Sequence, residues 1–320
     1  MKLITAVEIP EYPFHLDHHQ KILMLGSCFT ENIGRKLERY RFPVEINPFG
    51  TIFNPLSVLR SMEALLNKNA YTTDDLEKHQ NSWLSFDHYT GFSDECREKC
   101  LEKINRRFIP AKQALGEAST LILSWGTAWV YRKVSADGGQ PVSNCHKIPA
   151  KHFSRSRLSP REITEAYGKT LDALFQLNPE LRVLLTISPV RHLKDGTQGN
   201  QLSKACLLLA TEELSRLYPD NVFYFPSYEI VMDELRDYRF YAEDMMHVND
   251  LATGYIWEKF SEALLGDESQ NIIRDLEALL RMREHRSSQT TGPAHEKLQL
   301  KMQNQEKKIQ ENYPDFLGRL

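Results

Sequence analysis

Four short apolar runs recur along the chain between longer segments in which apolar and polar residues alternate. They are residues 22–25, 121–124, 183–187 and 222–225. Runs of this length, rich in aliphatic and aromatic residues, are typical of strands buried on both faces. The pattern therefore predicts four strands of a parallel sheet.

The segments between the runs carry apolar residues at the three- and four-residue spacing of amphipathic helices. This spacing predicts helices over 29–40, 55–67, 200–217, 229–236 and 250–265. Ser159-Pro160 matches an N-cap followed by the first position of another helix. The charged stretch 94–118 predicts a helix that is interrupted where Ile109 precedes Pro110. Alternating strands and helices predict right-handed crossovers and an α/β sandwich.

Two regions depart from this alternation. Residues 130–157 contain the turn signal Asp137-Gly138-Gly139 and a polar stretch at 143–147, which predicts a hairpin or loop excursion near the strand ends. From residue 269 a helical piece leads to a breaker at 287–293 and a Gln- and Lys-rich stretch. We expect a main domain over 1–268 and a helical extension over 269–320. The extension is expected to dock on the body or on a second copy, forming a homodimer.

Composition narrows the class of protein. The chain has 320 residues, 41% of them hydrophobic, and a formal net charge of −3, which gives no reason to expect a nucleic-acid partner. Glu8 and Pro10 interrupt the amino-terminal apolar residues, and no run reaches the ~18–20 residues of a membrane span, so we expect no membrane partner and a cytoplasmic location. Five irregularly spaced cysteines indicate reduced thiols.

The first candidate for chemistry is Gly26-Ser27-Cys28, directly after the first predicted strand. Ligands of α/β sheets bind outside the carboxyl ends of the strands, and the amino end of the next helix favours a thiolate. Cys28 gains most from this position. In the alternative interpretation, Ser27 is only a helix cap and Cys28 a small buried apolar side chain.

A carboxylate and an imidazole form the second candidate, Asp244-Met-Met-His247. Asp244 can orient His247 only if the intervening turn curls back, so the pair needs an irregular loop. Together with a Ser or Cys nucleophile, such a pair is the requirement for attack on a carbonyl and indicates an acyl-group enzyme. Taken alone, an Asp-x-x-His pair is more often a surface pair or a helix cap.

Further polar residues stand near the other strand ends. Arg191 and His192 follow the third strand and are candidates to hold a carboxylate, phosphate or sugar hydroxyl, or else to stabilise their own loop. Two clusters suggest metal ligands but lack a matching second pair, so we predict helix-surface thiols and solvated loop histidines, and no metal. They are Cys96 with Cys100, and His15, His18 and His19 with Asp17. No phosphate-binding glycine loop is present, so no cofactor is expected.

Four blocks of the chain, in order, resemble those of the SGNH or GDSL-like hydrolases. They are Gly26-Ser27-Cys28, Gly50, Gly126-Thr-Ala-Trp129 and Asp244-x-x-His247. Over about residues 1 to 265 the chain more closely resembles the mostly bacterial GSCFA family, through Gly-Ser-Cys-Phe-Thr, Asn144-Cys-His-Lys-Ile-Pro149, Ser188-Pro-Val-Arg-His192 and the Asp-x-x-His pair. The resemblance implies a flavodoxin-like three-layer sandwich with a parallel sheet, to which the sequence pattern adds the hairpin insertion and the carboxyl-terminal helical extension.

The resemblance also implies roles for single residues. Cys28 takes the position of the nucleophile, and Ser27 is the alternative nucleophile. His247 takes the position of the general base, and Asp244 that of the residue that orients it. The backbone N–H groups of Gly50 and Cys28 would form the oxyanion hole. Ala128 stands where that pattern has an asparagine donor, and four residues are candidates to replace it: Thr127, Asn144, His146 and Asn200.

The expected function is hydrolysis of an ester or acyl group on a small molecule or carbohydrate, for example as a carbohydrate O-acetyl esterase. Exchange of Ser for Cys favours acyl transfer through a thioester, but it also occurs in proteins that have lost hydrolysis. Two alternatives therefore stand beside the esterase: an acyltransferase that uses the same site, and a catalytically silent module that binds ligand in the cleft.

Overall fold

A parallel five-stranded sheet forms the centre of the protein, as seen in a computed structural model that describes residues 5–135, 139–284 and 293–314. The strands of the described residues are β1 Lys21–Gly26, β2 Val44–Ile46, β3 Glu77–His79, β4 Ser82–Leu84, β5 Ala118–Trp125, β6 Trp129–Lys133, β7 Pro141–Val142, β8 Phe153–Arg157, β9 Arg182–Ile187 and β10 Val222–Phe225. The central sheet has the order β2-β1-β5-β9-β10.

Helices cover both faces of this sheet. They are α1 Cys28–Arg39, α2 Pro55–Asn67, α3 Arg97–Glu117, α4 Pro160–Leu177, α5 Gly196–Leu217, α6 Ser227–Glu229, α7 Asp250–Leu264, α8 Asp267–Glu284 and α9 Pro293–Asn312. Successive residues of a strand point to opposite faces. Leu23 and Leu25 of β1 accordingly pack with α2 to α5, whereas Ile22 and Met24 pack with α1, α7 and α8. The α/β sandwich predicted from the sequence is confirmed.

The four predicted strands are the four longest strands of the central sheet. The strand that the sequence did not predict, β2, has only three partly buried residues and pairs with β1 at the edge of the sheet. An edge strand of three residues with Glu45 at its centre has no apolar run to reveal it.

The predicted interruption at Pro110 is wrong, because α3 continues through it from Arg97 to Glu117. Pro110 is exposed, and on the solvent side of a helix water can hydrate the carbonyl that loses its donor. The predicted helix over 229–236 is also altered: α6 passes into a π-helical turn, Ile230–Glu234. The start of α4 agrees with its signal, since Ser159 and Glu162 form a reciprocal capping box.

The insertion after β5 is a small antiparallel sheet in the order β7-β6-β8. Tyr131 of β6 lies opposite Arg155 of β8. Asp137 and Gly138 of the predicted turn lie outside the described residues, whereas Gly139 has a φ of +73°. The predicted excursion is therefore a three-stranded sheet, and it stands beside the carboxyl ends of the central strands.

The helical extension packs on the body through α8. Ile272, Ile273 and Leu276 are buried against the face that carries α1 and α7, and the Tyr40 hydroxyl donates to Glu277 Oε1 at 2.7 Å. The predicted breaker at 287–293 falls almost wholly outside the described residues. Pairing with a second copy remains a prediction. In the described part of the chain, no helix combines the length and apolar character needed to cross a bilayer.

Two minor predictions are wrong because the side chains are buried. Cys100 packs inside the core beside α2 rather than on the surface of α3. His18 is 1% exposed, stacks on Phe42 and contacts the Tyr40 carbonyl oxygen at 2.9 Å through Nε2, so it is a core histidine rather than a solvated one. His15 and His19 are exposed as expected.

Candidate active site

A cavity of about 490 Å³ opens at the carboxyl ends of β1, β5 and β9. It is bounded by the loops after these strands, by the antiparallel insertion and by the loop that precedes α7. Seven predicted site residues line it: Ser27, Cys28, Thr127, Asn144, Arg191, His192 and His247. Segments that are distant in the chain therefore meet at the edge of the sheet where ligands of α/β proteins bind.

Cys28 is the first residue of α1 and is partly buried at the floor of this cavity. Burial raises the pKa of its thiol, its own backbone N–H opposes that effect, and the Glu31 carboxylate adds to it. The helix terminus therefore does not give the thiolate that its position suggested. At neutral pH the side chain is a thiol, which needs a base before it can act as a nucleophile.

Ser27 is the N-cap of α1 and is 1% exposed. Its hydroxyl lies 2.7 Å from Ser124 Oγ and accepts the Phe29 N–H at 3.3 Å. Although Ser27 touches the cavity, its side chain is engaged in capping and in the contact with β5. Of the two adjacent candidates, Cys28 is the one whose side chain is not committed in this way.

The tight turn that presents Cys28 requires glycine at position 26. Gly26 has a φ of +142°, and a Cβ there would lie 2.2 Å from the Ser124 carbonyl oxygen. Its N–H donates to Asn47 Oδ1 at 3.0 Å, which ties the turn to the segment after β2. A side chain at this position would displace the start of α1 and, with it, the thiol.

His247 is held by Asp244 in the irregular loop that the spacing required. Nδ1 of His247 lies 2.6 Å from Asp244 Oδ2, while Asp244 Oδ1 accepts the N–H groups of Met246 and His247, each at 2.9 Å. Met245 adopts a φ of +56°, which turns the chain back. Nε2 of His247 has no partner among the described residues, and the side chain is 47% exposed. The imidazole is thus oriented yet open to solvent.

Asp244 remains ionised throughout the ordinary pH range. The N–H groups of His247 and Met246, followed by the His247 side chain, lower its pKa to about 2. Because a carboxylate at Nδ1 favours the tautomer with its proton on that nitrogen, Nε2 is left as the proton acceptor.

His192 lies beside His247 on the cavity wall. The backbone N–H of His192 donates to Asn200 Oδ1 at 2.9 Å, so this bond does not involve the imidazole. The imidazole ring meets the Phe53 ring edge-on, with centroids 5.8 Å apart. Burial, followed by the charges of Lys204, His247 and Arg155, lowers its pKa to about 4, so the imidazole is neutral at pH 7. Asn200 itself is buried and supports His192 from outside the cavity.

Gly126 makes room for that ring, because a Cβ at this position would lie 2.9 Å from His192 Nε2. His192 therefore sits against the glycine of the third block, in the neighbourhood where the expected asparagine is missing. Ala128, which replaces that asparagine, is 0% exposed and packs in the core.

Gly50 does not reach the cavity as an oxyanion donor. Its N–H donates to the Asn47 carbonyl oxygen at 2.8 Å, and Gly50 is absent from the cavity lining among the described residues. Its φ of +81° and the approach of Tyr89, 2.4 Å from where a Cβ would stand, account for the glycine as part of a turn. The first-turn N–H of Cys28, in contrast, belongs to the group that has no acceptor within its own helix.

The other residues predicted from the sequence either line the cavity or hold residues that line it. Asn144 lines the cavity, and its Oδ1 accepts the His146 N–H at 2.7 Å. His146 lies outside the cavity and contacts the Ser85 carbonyl oxygen at 2.9 Å through Nε2. Thr127 lines the cavity, with its hydroxyl 3.1 Å from Ser203 Oγ. His146 therefore shapes the Asn144 turn.

Lys204 is a buried residue that sequence reasoning missed. It is 1% exposed, and its ammonium donates to the carbonyl oxygens of Gly126 at 2.6 Å and Ser188 at 2.5 Å. Burial, followed by the charge of Arg191, lowers its pKa to about 7. It joins the ends of β5 and β9 beneath the cavity. Its spacing on the apolar face of α5 with Leu207 and Leu214 was the available signal.

A second, much smaller cavity of about 20 Å³ adjoins Cys28. Its lining is mostly apolar and includes Ile33, Val190, Val248 and Ile256. Since one water requires roughly 10–15 Å³ by this measure, the space suits a single methyl-sized group. In the described ranges, no cluster of three or more His, Cys, Asp or Glu side chains is arranged to hold a metal ion.

Together, the parallel sheet, the Gly-Ser-Cys turn and the cavity beside it place the chain among α/β proteins with a cleft at the carboxyl edge of the sheet. The model of the GSCFA family matches residues 21–260, and the chain belongs to that family. The matched residues include the whole central sheet and the two segments that carry Cys28 and His247. A comparison with curated proteins found no match.

Proposed function

We propose that this protein hydrolyses acyl esters with Cys28 as the nucleophile and His247 as the general base. The observation that carries the proposal is that these two residues, far apart in sequence, line one cavity while Asp244 occupies Nδ1 of the imidazole. That arrangement leaves Nε2 to exchange protons with substrate, as a weak nucleophile requires. The ordered blocks of the SGNH type support the same assignment of roles.

Acylation follows from the protonation states. Nε2 of His247 takes the Cys28 proton as sulfur bonds to the ester carbonyl carbon, whose oxygen becomes negatively charged. Collapse of this intermediate breaks the bond to the alcohol oxygen, which receives the proton from His247. Because burial raises the pKa of the Cys28 thiol, removal of its proton must accompany the attack, so the base is essential.

Two donors are suited to the oxyanion. The first is the N–H of Cys28 at the start of α1, and the second is the imidazole of His192, which is neutral at pH 7 and lies on the cavity wall. A neutral imidazole donates one N–H without adding a charge that would repel the protonated His247. His192 would thus supply the side-chain donor that Ala128 does not.

Water access favours hydrolysis over transfer. His247 is 47% exposed, so water can reach Nε2 once the alcohol has left. His247 then removes a proton from water as the oxygen attacks the thioester carbon, the carbon–sulfur bond breaks, and Cys28 is regenerated. A transferase would need to keep water from this base.

The two cavities suggest where the acyl chain and the alcohol portion of an ester would each be bound. The space of about 20 Å³ beside Cys28 suits the methyl group of an acetyl chain, whereas the cavity of about 490 Å³ suits a larger alcohol. Trp129 and Tyr131 line the larger cavity, and aromatic side chains pack well against sugar rings. A carbohydrate O-acetyl ester is therefore the substrate class that we propose.

Steady-state hydrolysis of 4-nitrophenyl acetate, butyrate and octanoate tests the proposal, followed by acetate release from an acetylated sugar. We expect acetate to be the preferred acyl chain, and we expect Cys28→Ala and His247→Ala to lose nearly all turnover. Cys96→Ala, which alters a partly exposed cysteine outside the cavity, is the matched control. Undiminished hydrolysis by folded Cys28→Ala would overturn the proposal. Faster loss of donor when a sugar acceptor is added would favour the transferase instead.

A further inference from the structure

The large cavity has an uneven distribution of charge. Among the described residues that line it are three cationic side chains, Arg155, Arg191 and Lys194, and no Asp or Glu. Asp244 contacts the opposite edge of His247 and does not line the cavity. The whole chain carries a net charge of −3, so this local excess of positive charge does not follow from composition.

Two of the three cations already have partners. The Arg155 guanidinium forms two hydrogen bonds with the Asp195 carboxylate and lies 4.2 Å above the Trp129 ring. The Lys194 ammonium donates to the Tyr131 hydroxyl at 2.5 Å. These contacts fix one wall of the cavity, and the Arg155 charge is balanced there.

Arg191 is different. Its backbone N–H donates to the Met246 carbonyl oxygen at 3.1 Å, which fixes the residue next to the loop of His247. No described residue forms a hydrogen bond or ion pair with its guanidinium, whereas in Arg155 only Nε lacks a partner. The charge of Arg191 contributes, after burial, to the lowered pKa of Lys204. A partly buried guanidinium that has no partner is stabilised by an anion.

We propose that the substrate carries an anionic group, a carboxylate or a phosphate, on its alcohol portion, and that Arg191 binds this group. The inference rests on the proposed function for the ester, but the anion site itself rests only on the cavity and its charges. Arg191 lies between this cavity and a neighbouring one that Asp237 and Tyr238 line, so the anion would be bound at the end of the large cavity that adjoins the loop of His247.

Three acetate esters that share the same leaving phenol framework test the proposal. They are 4-acetoxybenzoate, 4-acetoxyphenyl phosphate and methyl 4-acetoxybenzoate, of which the last is neutral. We expect kcat/KM for at least one anionic ester to exceed that of the neutral ester by about tenfold or more, because hydrogen bonds to charged groups are stronger than those between neutral groups. The preferred anionic ester identifies carboxylate or phosphate as the recognised group.

Arg191→Gln should lower the ratio of anionic to neutral kcat/KM by about tenfold or more, and Arg191→Lys should restore part of it. Arg161→Gln, which alters an exposed arginine on α4, is the matched control and should keep the wild-type ratio. Thermal unfolding would verify that wild type and Arg191→Gln are both folded. An equal preference of the two folded proteins for the anionic esters would overturn the anion site.

Binding to Cys28→Ala separates this inference from the proposed function. Calorimetry would compare 4-hydroxybenzoate and 4-hydroxyphenyl phosphate with neutral methyl 4-hydroxybenzoate. Tighter binding of an anionic phenol that depends on Arg191 supports the site even if wild type hydrolyses no ester. Turnover of all three esters without any preference for an anion supports the esterase and overturns the anion site.

Discussion

The hydroxyl oxygens of Ser27 and Ser124 lie 2.7 Å apart, and this contact distinguishes the two adjacent nucleophile candidates. Ser27 is buried and caps α1, while Cys28 faces the cavity at the next position. The amino-acid sequence alone left both Ser27 and Cys28 as candidates for the nucleophile. The hydrogen bonds of Ser27 leave it the task of holding the turn.

Replacing Ser27 by Ala is therefore expected to affect stability more than chemistry. Loss of the cap and of the contact with Ser124 should lower the free energy of unfolding by about 1–2 kcal/mol, measured by urea denaturation. Hydrolysis should fall much less than in Cys28→Ala. If folded Ser27→Ala lost all activity while Cys28→Ala retained it, the two roles would have to be exchanged.

Asp244→Asn tests the orientation of the imidazole. The amide oxygen can still accept the two backbone N–H groups, but the amide nitrogen presents a donor to Nδ1 and favours the wrong tautomer. We expect kcat to fall roughly 10²–10⁴-fold with little change in thermal stability. Asp237→Asn, which alters an exposed aspartate paired with Arg239, is the control. A kcat within a factor of two of wild type would exclude Asp244 from the mechanism.

His192 is expected to act as a hydrogen-bond donor to the oxyanion. His192→Phe should lower kcat by roughly 10²-fold, because one lost oxyanion donor typically costs that much, whereas His192→Gln should retain part of the rate. His152→Phe alters an exposed histidine on the insertion and is the control. Equal loss in the Phe and Gln variants would indicate a packing role instead.

Buried neutral histidines should make the fold sensitive to acid. Burial lowers the pKa of His88 to about 4, with Asp87 opposing and His146 adding to the effect. The unfolded chain has the ordinary pKa of about 6.5 and therefore binds more protons in this range. The stabilisation due to a neutral His88 is thus complete above about pH 6.5 and is lost as pH falls through about 4.

His88→Phe should flatten that dependence, since Phe49 and Tyr71 already surround the ring with aromatic contacts. Between pH 6.5 and 4 the wild-type free energy of unfolding should fall by about 3 kcal/mol more than that of His88→Phe. Urea denaturation at a series of pH values measures the difference. Parallel curves for the two proteins would show that the pKa of His88 does not differ between the folded and unfolded states.

The sequence predicted those parts of the fold whose signal is local. The strands β1, β5, β9 and β10 each have an apolar run, and the cap of α4 has its own two-residue signature. β2 was missed because its pairing with β1, rather than its composition, makes it a strand. The predicted break at Pro110 was wrong because the effect of a proline inside a helix depends on whether it lies on the side of α3 that faces water.

The candidate site divides in the same way. Cys28 and the Asp244–His247 loop were found because glycine turns and short spacings are visible in the sequence. The approach of Tyr89 to Gly50, the ring of His192 against Gly126 and the burial of Lys204 depend on contacts between distant segments. Local patterns carry no record of such contacts, so these three features required the structure.

The most direct test of the account is where an acyl group becomes attached. Acid quenching during turnover of 4-nitrophenyl acetate, followed by peptide mass spectrometry, should find one acetyl group on the peptide that contains Cys28, and far less of it in His247→Ala. An acetyl group on Cys145 or another cysteine alone, or ester turnover with Cys28 never modified, would contradict the account.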